Sequence, residues 1–316
     1  MKYLKIMKIA LSVKLFVCLL ILSFGINVFG QKNAKNKPKP AAKPKAIVFA
    51  VLMDGERIEP IGEIDKGEMV QTMTGDGDAT SLLKFSQTYY KPKNTYNLIF
   101  GAAKSGTITV QSSNSKSDCG KNAASVTTVS AKAKLKGLVM GLATNRIPSK
   151  TASGVRRLPT AAERAGIESL VRAEFVKQGI SADAVKNMKY HNLTALDVDN
   201  DGKVEMVGTF WAENSADERN LLFFIAEKGK DGKYNFGYSE YEKVVKADVM
   251  SGELKDLDEE GIGHELLLDA LEYDGDTTAE IFTLSKAFEG YNYRVYSRRD
   301  GKWTRVYETY NYHCAY

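Results

Sequence analysis

The sequence predicts an α+β fold that is predominantly antiparallel β. Three observations carry that expectation. Short apolar runs alternate with Gly- and Asp-rich turns, one long amphipathic segment opens on a helix-capping signal, and a strand–acidic loop–strand pattern recurs 75 residues later. The organisation they imply is a signal peptide over 1–30, a Lys/Pro-rich linker over 31–46 and a small N-terminal β-domain over 47–144. A linker over 145–158 then leads to 159–316, a helix-covered pair of four-stranded β-meander repeats, at about 191–238 and 264–307. Two such repeats are not a closed propeller, which needs about four to eight blades.

Residues 1–30 have the layout of a secretory signal. Lys2, Lys5, Lys8 and Lys14 precede an apolar run from Leu15 to Phe29, and Gly30 is a small residue at the cut. As a helix, 15 residues rise only about 22 Å, short of a hydrocarbon core of about 30 Å, so an export signal cleaved near Gly30 is expected rather than a transmembrane span. Cys18 leaves with it. Residues 31–46 hold six Lys, three Pro and no large apolar side chain. Such a stretch cannot bury enough surface to offset its ordering entropy and reads as an extended spacer.

The formal charge of +5 changes sign once this region is set aside. Its ten Lys leave 34 basic against 39 acidic residues, a body of −5. Nucleic acid is therefore not an expected partner. With 43% hydrophobic and 26% charged residues, the chain is no collagen, no wholly disordered polymer and no multi-span membrane protein.

In the first half, Ile47–Met53 and Arg57–Ile61 flank Asp54-Gly55 as a hairpin. Tyr96, Leu98 and Phe100 alternate, as do Ile108 and Val110 beyond a loop at Gly101–Gly106. Val126, Val129 and Leu135–Ala143 complete the domain, and Gly75–Asp78 reads as a surface turn. Thr160 and Glu163 then form a capping box ahead of Ile167, Leu170, Val171 and Phe175 on one helical face, which Gly179 ends. Ser181 caps a second helix through about Lys189.

The chemistry lies in the repeat. Asp197, Asp199, Asp201 and Glu205 place four carboxylates in nine residues, with Gly202 between them, before the strand Met206–Trp211. Like charges about 4 Å apart repel by about 1 kcal/mol even in water, so a cation between them is the physical reason to tolerate the cluster. Calcium takes six to eight oxygens, and alternate residues of a turning loop aim theirs inward. Asp197, Asp199, Asp201, the Lys203 carbonyl and Glu205 supply five. An EF-hand is excluded because its twelfth position is Gly208.

The second loop runs Glu272-Tyr-Asp274-Gly-Asp276-Thr-Thr-Ala-Glu280, and Asp231-Gly232-Lys233 and Asp300-Gly301-Lys302 mark matching turns. The pair resembles the calcium-binding β-repeats of the FG-GAP/VCBS type, found in integrin-like propellers and many exported bacterial proteins, although the phrase FG-GAP is missing. The resemblance implies structural calcium in the first loop. By analogy Glu272, Asp274, Asp276, the Thr278 carbonyl and Glu280 form a second site, with Glu272 and Thr277 departing from the pattern.

Nothing assembles a catalytic site. His191, His264 and His313 stand in no ligand or triad spacing, and His264 reads as a cap or surface residue. Glu259-Glu260 reads as solvated loop. Cys119 and Cys314 permit one disulfide in an oxidising compartment, or two free thiols. Along the Tyr-rich C-terminal strand, Tyr291, Tyr293 and Val295 face one way, while the face with Arg294 and Tyr296 is either core or a recognition surface for glycan or peptide.

The expectation is a secreted, non-enzymatic binding or envelope-surface protein, periplasmic, cell-surface or extracellular, whose partners are glycan or protein at the cell surface. The alternatives are an exported hydrolase or accessory enzyme acting on an envelope polymer, for which two carboxyls facing each other across a pocket outside the metal loops would speak, and a purely structural envelope component. Oligomeric state is not encoded legibly.

Overall fold

The apolar run Ala46–Leu52 forms β1, and every residue from Ile47 to Leu52 is buried because both faces of the strand are covered. The structure, a computed structural model, describes residues 44–146 and 152–314. The signal segment, the linker up to Lys43, and Pro148 and Ser149 of the expected inter-domain linker lie outside the described residues. Among those described, no helix is long and apolar enough to cross a membrane.

β1 pairs with β2 (Arg57–Asp65) as the expected hairpin. β3 (Glu68–Val70) extends it, followed by β4 (Thr95–Phe100), β5 (Ala103–Ser113), β6 (Ala124–Ser130) and β7 (Gly141–Thr144). The order β1-β7-β4-β5-β6-β2 returns to β1, so six strands close into a barrel with β3 attached outside. Closure was not foreseen from the sequence, because the β1–β7 and β2–β6 pairings that complete it join residues far apart in the chain.

An unexpected helix, α1 (Ala79–Tyr89), packs into the barrel core with Phe49, Tyr96 and Ile108. Gly75–Asp78 is not only a turn: the Asp78 side chain accepts hydrogen bonds from the Thr80 and Ser81 amides and starts α1. The helical spacing of Leu82, Phe85, Ser86 and Tyr89 was present to be read.

The capping box of Thr160 and Glu163 opens α2 (Ala161–Lys177), and Ser181 caps a short α3 (Ala182–Lys186) that ends before Lys189. Both helices cover one face of a sheet ordered β12-β11-β10-β9-β8. Its strands are β8 (Arg156–Arg157), β9 (Lys189–Leu196), β10 (Glu205–Ser215), β11 (Glu218–Lys228) and β12 (Tyr234–Val245). The second meander is β13 (Glu265–Leu271), β14 (Glu280–Lys286), β15 (Gly290–Arg299) and β16 (Lys302–Tyr312), all antiparallel neighbours. The stretch around Glu259, expected as loop, is α4 (Lys255–Glu260), held by buried Leu257 against Val249 and Leu254.

The layers stack. Val207, Phe223 and Ile225 of the first meander meet Leu267, Ile281 and Tyr296 of the second. The opposite face of the second, with Leu268, Phe282 and Tyr293, packs on Val48, Ile61 and Leu142 of the barrel wall. From Pro44 onward the chain groups as one compact unit. The described end of the 145–158 segment is a strap within it rather than a free connection. Arg156 Nη1 lies 2.6 Å from the buried Asp269 carboxylate of β13 and donates to the carbonyls of Met140 and Leu268. Asp269 also accepts from the Gly101 and Ala102 amides of the β4–β5 turn. Breaking one half of such a buried pair costs about 3–5 kcal/mol.

Candidate metal centre

The two acidic loops are the β9–β10 and β13–β14 connections, and they fold alike. Position four is left-handed in both (Asn200, φ 60°; Gly275, φ 96°), and so is position six (Gly202, φ 80°; Thr277, φ 77°). The amide of Asp201 donates to Asp199 and that of Lys203 to Asp201; Asp276 donates to Asp274 and Thr278 to Asp276 in the same way. The closing glutamates also correspond: Glu205 accepts from the Val198 amide at 3.1 Å, and Glu280 from the Tyr273 amide at 3.2 Å. The Ala279 amide donates to the Val198 carbonyl at 2.8 Å, tying one loop to the other.

Within each loop three carboxylates converge, with oxygens inside 4.8 Å of one another. In the first they are Asp197, Asp199 and Asp201; in the second, Asp274, Asp276 and Glu280. Glu205 stands apart from the first group, engaged at Val198, and Glu272 turns its Oε1 to the Gly275 amide at 2.5 Å. The sequence expectation included both closing glutamates; of the two, Glu280 lies within the converging group and Glu205 does not.

Burial decides the electrostatics. Asp197, Glu205 and Glu280 are each at most 5% exposed. Burial pushes the Asp197 carboxyl up, Glu205 up to about 7, and Glu280 up to about 9, with Asp274 adding to the last. One oxygen of Asp197 and one of Glu280 are buried without a hydrogen-bond donor. A hard divalent cation would supply the missing charge and favour the ionised forms, so the residues fit calcium in kind. Three converging carboxylates leave the remaining coordination to main-chain carbonyls and water.

Two arginines of β15 were not foreseen as part of the site. Arg298 ion-pairs with Asp199 and reaches Glu227 at 2.8 Å, where Trp303 Nε1 also donates. Arg299 lies 3.8 Å from Asp274. On the Tyr/Arg face of β15, Tyr296 is fully buried and serves as core, while Arg294 pairs with buried Glu265 at 2.6 Å.

His264 is not a surface residue or a cap. It is fully buried, its ring 4.2 Å from His191 and 4.8 Å from Trp211, and burial lowers its pKa to about 3. Cys119 and Cys314 are joined by a disulfide. A groove of about 400 Å³ is lined by Glu242, Asp248 and Glu289 with Phe288 and Tyr310. Comparison with family models, with curated proteins and with solved structures finds no match to this chain.

Proposed function

We propose that the chain is an exported, non-enzymatic binding or envelope-surface protein whose stacked meanders are braced by structural calcium in loops of the FG-GAP/VCBS type. The observation that carries this reading is the equivalence of the loops. Two different sequences adopt one left-handed pattern and one set of Asx hydrogen bonds, and each leaves a buried carboxylate oxygen without a donor. Because the loops also bond to each other, an ion in either would stiffen the junction of the two sheets. Its role there is to neutralise charge and hold strand geometry, with no water activated.

Calorimetric titration of the purified chain with calcium tests this. A saturable isotherm is expected, together with a melting temperature that falls on chelation; an unchanged melting curve would count against the site. The groove of Glu242, Asp248 and Glu289 favours a second reading, an exported hydrolase acting on an envelope polymer, because its carboxyls line a pocket outside the metal loops. Release of soluble fragments from purified envelope polymer, lost in Glu242→Gln, would replace the first reading with the second.

A further inference from the structure

We propose that a cavity of about 270 Å³, where the barrel meets the tip of the second meander, binds a small organic carboxylate with Arg57 as its anion contact. The site is independent of the acidic loops. Its walls combine the apolar surfaces of Met53, Phe288 and Tyr291 with the cationic or ionisable side chains of Arg57, Lys286 and His313.

Behind that wall sits Glu59, which is fully buried. Its Oε2 accepts from Tyr293 Oη at 3.0 Å and Asn311 Nδ2 at 2.8 Å, and lies 2.8 Å from His313 Nε2. Its Oε1 lies 2.7 Å from Arg57 Nη2. Asn311 is itself held by the Gly75 amide and by Asn122, so the carboxylate is fixed from several elements at once. Burial alone would raise the Glu59 carboxyl, but the His313 hydrogen bond and the Arg57 charge outweigh it and hold the group below its ordinary range. Glu59 therefore acts as an anchor that sets the Arg57 guanidinium and the His313 imidazole at the edge of the cavity.

The guanidinium is not fully used. The Arg57 side chain stays 24% exposed and lines the cavity, so the accessible part of the guanidinium can meet a ligand, while its Nε–H is sealed inside without a hydrogen-bond partner. Gly120 makes room for it: a Cβ there would lie 2.4 Å from Arg57 Nη2, and the residue has φ +57°. The Cys119–Cys314 disulfide pins the residues next to Gly120 and His313. A planar carboxylate matches a guanidinium fork, and an apolar arm would lie against Phe288 and Tyr291. Glu59 offsets the Arg57 charge only from the buried side, and Lys286 is part of the cavity wall.

Calorimetry and saturation-transfer NMR of the full-length chain with phenylacetate, phenylacetamide and inorganic phosphate test the assignment. Phenylacetate is expected to bind saturably, with the neutral amide and phosphate each weaker by about tenfold or more, as loss of a charge-assisted pair or of the apolar arm implies. Arg57→Lys keeps a partner for Glu59 but loses the fork, and should weaken phenylacetate by about tenfold. Phe288→Ala, which leaves the buried network untouched, should weaken phenylacetate and not phosphate. Failure of phenylacetate to bind, equal binding of acid and amide, phosphate binding as tightly as phenylacetate, or wild-type affinity in a folded Arg57→Lys variant would each overturn the proposal.

Discussion

The two meanders put one acidic loop into two sequences and two surroundings. In the first, Gly202 takes the left-handed position six and Arg298 pairs with Asp199. In the second, Thr277 takes the same conformation with a side chain that resists it, and Arg299 is only within 3.8 Å of Asp274. The backbone shape survives the exchange because the Asp side chains accept the amides of the turn. Glycine relaxes the loop but does not define it. The surroundings differ as well: helices cover the first meander on its outer face, whereas the second is sandwiched between the first and the barrel.

The largest expected break in this comparison is at Asp269, whose position in the second meander corresponds to Thr194 in the first. Asp269→Ala removes the partner of buried Arg156 and the acceptor for two amides, so a loss of about 3–5 kcal/mol is expected in denaturant titration. A loss under about 1 kcal/mol, the scale of a surface pair, would show that the strap is not a buried lock.

Calcium comes next. If the proposed ion binds, then at ~1 mM free ion and a dissociation constant of ~0.1 mM its occupancy would stabilise the fold by about 1.4 kcal/mol. Asp199→Ala plus Asp201→Ala should abolish the first loop's share of the response to chelator, and Asp274→Ala plus Asp276→Ala the second's. Thermal melts of the two double variants, with and without chelator, tell the loops apart.

Backbone strain follows. Thr277→Gly should stabilise the chain by about 1 kcal/mol, and Gly202→Thr should destabilise it similarly, because only glycine adopts positive φ at no cost. Equal melting temperatures for Thr277→Gly and wild type would remove strain as a difference between the loops.

The smallest effect concerns the helix that covers only the first meander. The Arg157 hydrogen bond outweighs burial and, with the Thr160 cap, holds Glu163 down to about 2. Its ionised form therefore adds stability above the unfolded carboxyl value near 4.5, and that contribution is lost as pH falls through about 2. Glu163→Gln should flatten the acid limb of the stability curve while leaving its shape above pH 5 unchanged.

Much of the fold was legible wherever the deciding interactions are local. The capping box of Thr160 and Glu163, the β1–β2 hairpin and both meanders follow from period, turn residues and a recurring loop, all within short stretches of chain. The helix behind Asp78 was legible too, through Leu82, Phe85 and Tyr89, but its short polar-rich stretch lay among strands. The acidic loops could be named as a cluster, since charge density is a property of sequence.

What sequence alone determined, then, is the antiparallel β character, the repeat, the capped helix and the identity of the clustered acids, because each rests on residues a few positions apart. Tertiary structure alone decided that the barrel closes, that His264 is interior, that Arg298 and Arg299 reach the loops, and that Arg57 and His313 share one buried carboxylate. Those outcomes join residues separated by tens to hundreds of positions, and they depend on which faces are removed from water and which charges must then be compensated.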